Sequence, residues 1–238
     1  MSTDIDFEDL YRGESAHQDV AGAGGILPWD IGEPQPALVE LVESGRVAGE
    51  VLDAGCGLGG NSIFLAERGL RATGFDVSPS AIEQARTRAG TVEHAPEFVV
   101  EDAIRLDGLS QRFSTVLDSA LYHCLDDQQR REYAAALHRV SLPGAALHLF
   151  CAADVDNAGC RMPMVVTPEN LRANLGEHWD ISDIALTRYT SAFTPEKLRQ
   201  MPQEGLATAG LEVNLEDVEV DDHGRVLLPV WHLRATRR

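Results

Sequence analysis

The chain has 238 residues, a length suited to one compact domain, and its 44% hydrophobic and 24% charged residues are globular proportions that argue against wholesale disorder. Lys+Arg total 20 against 38 Asp+Glu, so the formal net charge of -18 opposes polyanionic partners such as nucleic acid and anionic membranes. No apolar run spans a bilayer, no basic-then-apolar leader is visible, and Cys56, Cys124, Cys151 and Cys160 form no CxxC pair, so a cytoplasmic protein with free thiols and no metal centre is expected.

The first 25 residues are polar, acidic and glycine-tipped, a composition that suits a frayed tail or a lid that orders over a ligand; Tyr11 and the following Trp29 favour the lid. Residues 1–32 are accordingly set apart as a lid or cap segment, and 33–238 as a single domain. Pro34 and Pro36 suit a helix start, followed by Leu38, Val39, Leu41 and Val42 at helical spacing and a stop at Gly45. Glu50 to Ala54 reads as a buried strand, Gly55 to Gly60 as a glycine-rich turn, and Asn61 to Arg68 as a helix. A second strand, Arg71 to Phe75, ends at Asp76; Ser78 caps the next helix with Pro79 in its first turn. Strands over 98–100 and 113–117 follow, ending at Asp102 and Asp118. A helix over 128–140 is expected to break at Pro143-Gly144 before a fifth strand over 146–151.

This alternation predicts an α/β fold, an open parallel sheet with helices on both faces. After Ala153 the rhythm loosens. An irregular segment over 154–166 precedes a capped helix from Thr167 to Leu175 and a strand from Trp179 to Tyr189. A second Thr-Pro-Glu start at Thr194 opens a helix that Glu204 to Ala209 extends. A final strand runs from Val226 to Ala235 after a turn at Asp222-His223-Gly224.

Chemistry concentrates at the strand ends. The run Leu52-Asp53-Ala54-Gly55-Cys56-Gly57-Leu58-Gly59 lets the backbone bend sharply and approach a ligand, and the N–H groups of the helix that follows favour an electronegative group there. No Gly-Lys-Ser or Gly-Lys-Thr follows, which sets aside a phosphate loop. Asp76 at the end of the next strand is placed to accept both ribose hydroxyls of an adenosine group. Asp102 and Ala103 are placed to pair with an adenine edge, and Asp118 and Ser119 to face the crevice.

These residues carry a resemblance to class I S-adenosylmethionine-dependent methyltransferases over roughly residues 28–153. It implies a Rossmann-like seven-stranded mixed sheet with the last strand inserted antiparallel, pairing 179–189 with 226–235. It also implies S-adenosylmethionine as cofactor and S-adenosylhomocysteine as product, with cofactor contacts falling on Trp29, Asp53, Gly55, Cys56, Gly57, Gly59, Asp76, Asp102, Ala103, Asp118 and Ser119. Trp29-Asp30-Ile31-Gly32 before Pro34 and Pro36 is similar to the small-molecule group of thiopurine, thiol and halide enzymes and bacterial quinone and heterocycle methyltransferases. In that group the N-terminal aromatic segment closes over cofactor and acceptor. Leu58 stands where threonine is common, and 154–164 matches no known acceptor signature.

The expected function is methyl transfer to a small organic acceptor, on oxygen or nitrogen, in natural-product or detoxification metabolism. A non-catalytic cofactor-binding scaffold and an NAD-dependent oxidoreductase remain as other readings. His123, just beyond Asp118, is the candidate general base, since an imidazole pKa of about 6.5 suits that role. Tyr11, Tyr122, His123 and Cys151 are the candidate acceptor contacts. The sequence gives no oligomeric state.

Overall fold

The computed structural model describes residues 6–13, 27–90, 92–155, 159–201 and 211–238. The glycines Gly22, Gly24 and Gly25 and the helix extension over 204–209 lie outside the described residues.

Apolar runs too short for a helix become parallel strands, and the longer periodic runs between them become the crossovers. In chain order these are α1 (Phe7–Arg12), α2 (Pro36–Glu43), β1 (Glu50–Ala54), α3 (Gly60–Glu67), β2 (Arg71–Asp76), α4 (Pro79–Ala89), β3 (Glu97–Val100), β4 (Phe113–Ser119), α5 (Asp127–Val140) and β5 (Ser141–Ala152). Then come β6 (Cys160–Arg161), α6 (Pro168–Leu175), β7 (Trp179–Thr190), α7 (Pro195–Gln200), β8 (Glu212–Val213) and β9 (Leu227–Arg237). The main sheet has seven strands in the order β3-β2-β1-β4-β5-β9-β7, with β6 and β8 in a separate two-stranded sheet. Neighbours from β3 through β5 pair in parallel, whereas β9 runs antiparallel to both β5 and β7, so the last strand of the chain is inserted between them.

Successive side chains in the central strands enter different cores. Leu52, Val116 and Leu149 point to the face covered by Tyr133 and Leu137 of α5 and by Leu171 and Leu175 of α6. Their neighbours Val51, Leu117 and Phe150 point to the face covered by Leu38 and Leu41 of α2 and by Phe64 and Leu65 of α3. A sheet buried on both faces needs this unbroken apolar run, and burying each such side chain contributes about 1.5–3 kcal/mol. Helix starts follow their capping residues: Ser78 Oγ accepts from Ala81 N, Asp126 and Gln129 form a capping box, and Thr167 and Thr194 cap α6 and α7.

Two boundaries differ from the sequence expectation. Pro143-Gly144 does not separate helix from strand; β5 starts at Ser141, directly after α5. Ser141 is already extended, and its hydroxyl closes the helix on Leu137 O at 2.7 Å. Pro143 lies where the β4–β5 register shifts between Phe113 and Thr115, and Gly144 adopts φ +76. This irregularity accommodates a residue with no N–H to give a ladder. The segment expected to be irregular contains β6, whose Cys160 pairs with Val213. No helix among the described residues is long and apolar enough to cross a membrane.

Candidate functional site

Strand order reverses between β1 and β4, whose crossovers leave in opposite directions, and the carboxyl ends of these strands open a crevice. It is lined by Trp29, Gly55, Cys56, Gly57, Ser119 and Tyr189, with Asp30, Glu33, Gln35 and Asn61 at its margin. The glycine turn forms its floor. Gly57 has φ +51, and a Cβ there would come 2.6 Å from the Tyr11 hydroxyl; at Gly59, φ +79, it would meet the Phe98 ring at 2.7 Å. Only glycine gives this turn both its left-handed backbone and its close approach.

Asp76 fastens the turn from behind. One carboxylate oxygen accepts from Gly57 N and the other from Ser78 N, each at 3.0 Å. Burial pushes its pKa up, against the pull of these amides. Beside it the apolar Val77 stands 60% exposed, and Val100, its neighbour at the end of β3, 47%. Asp53 lies beneath the turn; its Oδ2 accepts from Ser62 Oγ at 2.6 Å, while Oδ1 is buried without a hydrogen-bond partner. Burial raises this carboxyl to about 6. An uncommitted buried carboxylate oxygen is costly unless a ligand or water satisfies it.

The N-terminal helix α1 lies across the opening. Trp29 Nε1 donates to the Tyr11 hydroxyl at 3.2 Å, and Phe7 packs on Trp29 at 6.2 Å. Glu8 accepts from Ser78 Oγ at 2.5 Å, Ser80 Oγ at 2.6 Å and Ser80 N at 3.2 Å, at the start of α4. The two serine hydroxyls hold its carboxyl below the usual range. The Gln84 amide donates to Tyr11 O, and Arg88 pairs with Asp30 at 2.8 Å.

Of the expected site residues, Trp29, Gly55, Cys56, Gly57 and Ser119 line the crevice. Tyr11 closes on Gly57, Gly59 completes the turn, and Asp53 and Asp76 support it. Asp102 is exposed at the end of β3, where its side chain accepts from Ile104 N, and Ala103 is buried beside it.

Four residues depart from expectation. Asp118 does not face the crevice: it is fully buried, taking Leu121 N and Tyr122 N on Oδ1 and the Tyr133 hydroxyl on Oδ2. Those bonds fold 118–124 back onto the sheet. Tyr122 and His123 are thereby buried, Cys151 is buried within β5, and none of the three lines the crevice. The Tyr122 hydroxyl donates to Asn170 Oδ1, and His123 Nδ1 accepts from Ala152 N at 3.3 Å. Burial, with Arg130 nearby, pushes His123 down to about 4. Its lone pair is used by the backbone, so a general base at this position is not what the packing provides. Burial also raises the Cys56 and Cys151 thiols, so neither is a thiolate at neutral pH.

Sequence reasoning missed Tyr189 and Gln35. Tyr189 ends an outer strand, and its hydroxyl reaches Ser119 Oγ at 3.0 Å. Gln35 clamps the next residue, donating to Thr190 O and accepting from Thr190 N. Neither has a local signal, because both contacts join distant parts of the chain. Among the described residues, no group of three His, Cys, Asp or Glu side chains is placed to hold a metal ion.

A family model described as "Methyltransferase domain" matches residues 51–144. The chain is 36% identical to a 2-heptyl-1-hydroxyquinolin-4(1H)-one methyltransferase of Mycobacteroides abscessus, over 97% of this chain and 96% of that one. It is 26% identical to a probable thiol methyltransferase of Arabidopsis thaliana, over 61% of this chain and 66% of that one. A solved structure from work on the conversion of a disulfide bond into a thioacetal group during echinomycin biosynthesis superposes with a TM-score of 0.75 at 32% identity, covering 97% of this chain and 90% of that one.

Proposed function

The chain belongs to the S-adenosylmethionine-dependent methyltransferases acting on small organic molecules, and from that premise we propose that its acceptor is a heteroaromatic compound methylated on a ring hydroxyl or N-hydroxyl oxygen. The observation that carries this reading is the composition of the crevice: a glycine-turn floor facing a wall of Trp29, Tyr189 and Ser119, with the half-buried Trp29 indole for a flat ring and the Tyr189 and Ser119 hydroxyls for a polar atom. Similarity along nearly the whole chain to the quinolone enzyme supports the same class. A sulfur acceptor is the second reading, supported by the likeness to the echinomycin structure and the thiol methyltransferase.

The residues fit the cofactor. Glycine at position 57 lets the Tyr11 hydroxyl close on the turn where a side chain would block it, and the buried Asp53 Oδ1 has no hydrogen-bond partner of its own. Gly55, Cys56 and Gly57 would hold the amino-acid end and Asp76 the ribose. The exposed Val77 and Val100 would flank the adenine beside Asp102 and Ala103. When bound, S-adenosylmethionine supplies a methyl group already activated on a sulfonium, so what the chain contributes is alignment. Positive charge at sulfur fades in the transition state, and a carboxylate held against it would favour the ground state. Asp118 is withdrawn from the crevice by its own hydrogen bonds, consistent with that requirement. In this reading α1, with Tyr11 and Trp29, is the lid that keeps water out.

The test is product mass spectrometry with S-adenosylmethionine and a panel of heteroaromatic hydroxyls, thiols and amines. Methylated hydroxyl products are expected. Turnover confined to thiols would favour the second reading, and turnover on none of the panel would overturn both.

A further inference from the structure

The Tyr189–Ser119 contact joins the outermost strand of one side of the sheet to the end of β4, across β5 and β9. The Tyr189 ring is fixed: it packs in the cluster with Leu38, Phe150, Phe193 and Leu228, and Gln35 holds the adjoining Thr190 by both backbone groups. Its hydroxyl therefore meets Ser119 in a set position, at a wall of the crevice. The two hydroxyls carry two protons between them. Their mutual bond uses one, and neither oxygen has another hydrogen-bond partner among the described residues. One O–H is left to donate into the crevice.

Most other polar groups near the crevice are more committed, the exception being Asn61 in the first turn of α3, on the side of the glycine turn. Asp30 is paired with Arg88 and Glu33 with Arg225, Gln35 is spent on Thr190, and Trp29 Nε1 is spent on Tyr11. Burial pushes the Tyr189 phenol up to about 12, so it is a neutral donor at physiological pH. A fixed neutral donor favours an atom bearing negative charge.

Resting on the ring-hydroxyl reading above, we propose that the Tyr189–Ser119 hydroxyl pair seats the acceptor's nucleophilic oxygen, and that the acceptor is a weakly acidic ring hydroxyl or N-hydroxyl taken as its anion. The proton leaves to solvent before transfer. The oxygen lone pair then forms the new C–O bond while the bond from the methyl carbon to the sulfonium sulfur breaks, and sulfur keeps that electron pair as a neutral thioether. The donated O–H lowers the acceptor's pKa in the site. Each unit lowered raises the anion fraction tenfold below that pKa, while nucleophilicity falls by only about threefold on a Brønsted slope of about 0.4–0.5, the value for thiols.

The experiment measures kcat at saturating acceptor, and acceptor KM, against pH for a series of ring hydroxyls of graded acidity, with Tyr189→Phe and Ser119→Ala beside the parent enzyme; kcat reports the ionisation of the bound acceptor. Tyr189→Phe keeps the packed ring, and its melting temperature checks the fold. In the parent the inflection should follow each acceptor's acidity and lie below its solution pKa. In Tyr189→Phe it should move up toward the solution value, with acceptor KM raised about tenfold, the loss of one hydrogen bond to a charged group, and S-adenosylmethionine affinity unchanged. Ser119→Ala should shift the inflection in the same direction. An inflection fixed across acceptors overturns the proposal, as does a Tyr189→Phe profile identical to the parent. Equal losses of acceptor and cofactor affinity overturn it too, because they place the pair on the cofactor. No turnover on any ring hydroxyl, with S-adenosylmethionine still bound, fails the ring-hydroxyl reading itself.

Discussion

Asp76 and Asp118 both end parallel strands, yet the chain uses them in opposite ways. Asp76 keeps its two oxygens on backbone amides of the crevice rim, where a ligand's hydroxyls can share them. Asp76→Ala should weaken S-adenosylmethionine binding about 10- to 100-fold, the range for losing hydrogen bonds to a charged group, as titration calorimetry would register. An unchanged Kd would remove it from the cofactor site. Asp118 is structural, and burial raises it to about 7. For an acid raised in the folded state, folded protein retains a proton that unfolded protein has released, so stability falls as pH climbs from about 4 to about 7. A shift of that size corresponds to a penalty on the order of 4 kcal/mol once the group is ionised. Asp118→Asn keeps an acceptor for Leu121 N and Tyr122 N and has no charge to desolvate. Urea unfolding should show the variant matching the parent near pH 4 and gaining on it up to pH 7, then holding a constant lead. A lead independent of pH would mean that Asp118 is not the group responsible.

At the scale of elements, α1 is held differently from the rest. It has no buried residue, so it docks through the aromatic contacts to Trp29, the Gln84 bond and the Glu8 carboxylate on the first turn of α4. Ser78 serves both sides: its hydroxyl meets Glu8 and its amide meets Asp76. Glu8→Ala should therefore speed S-adenosylmethionine release several-fold in stopped-flow Trp fluorescence while barely moving the melting temperature. Release at the parent's rate would deny α1 a closing role. The elements readable from sequence were those whose cause is local. The glycine turn, the Ser78, Thr167 and Thr194 caps and the apolar strands carry their reasons within a few residues. The alternation continued to Ala153, and the resemblance supplied the inserted last strand. What stayed illegible depends on distant partners. The β5 start is set by a bulge against β4, the Tyr189 hydroxyl by a strand on the far side of the sheet, and the inward turn of His123 by Asp118 capping the segment before it. A histidine four residues past a crevice-lining position and one packed beneath the sheet look the same in a one-dimensional pattern.

Across the whole molecule the dominant electrostatic fact is the excess of acids, a formal charge of -18. Two effects of salt then compete. Surface pairs such as Arg68–Glu43 and Arg172–Glu169, at 3.9 and 4.0 Å, weaken on screening, but exposed pairs contribute only about 0–1 kcal/mol each and have little to lose. Repulsion among the surplus carboxylates is long-ranged and grows with the square of net charge, so it gains more from screening. Between about 0.01 M and about 1 M salt the Debye length falls from about 30 Å to about 3 Å, from beyond the reach of most charge pairs to the width of one contact. The melting temperature should therefore rise with sodium chloride at pH 7, most steeply at the low-salt end where the field is least screened, and the rise should shrink near the isoelectric pH of about 4.7, where the surplus vanishes. Calorimetric scans at the two pH values separate the effects. A melting temperature that falls with salt at pH 7 would mean that the arginine–carboxylate pairs, and not the net charge, govern the folded state.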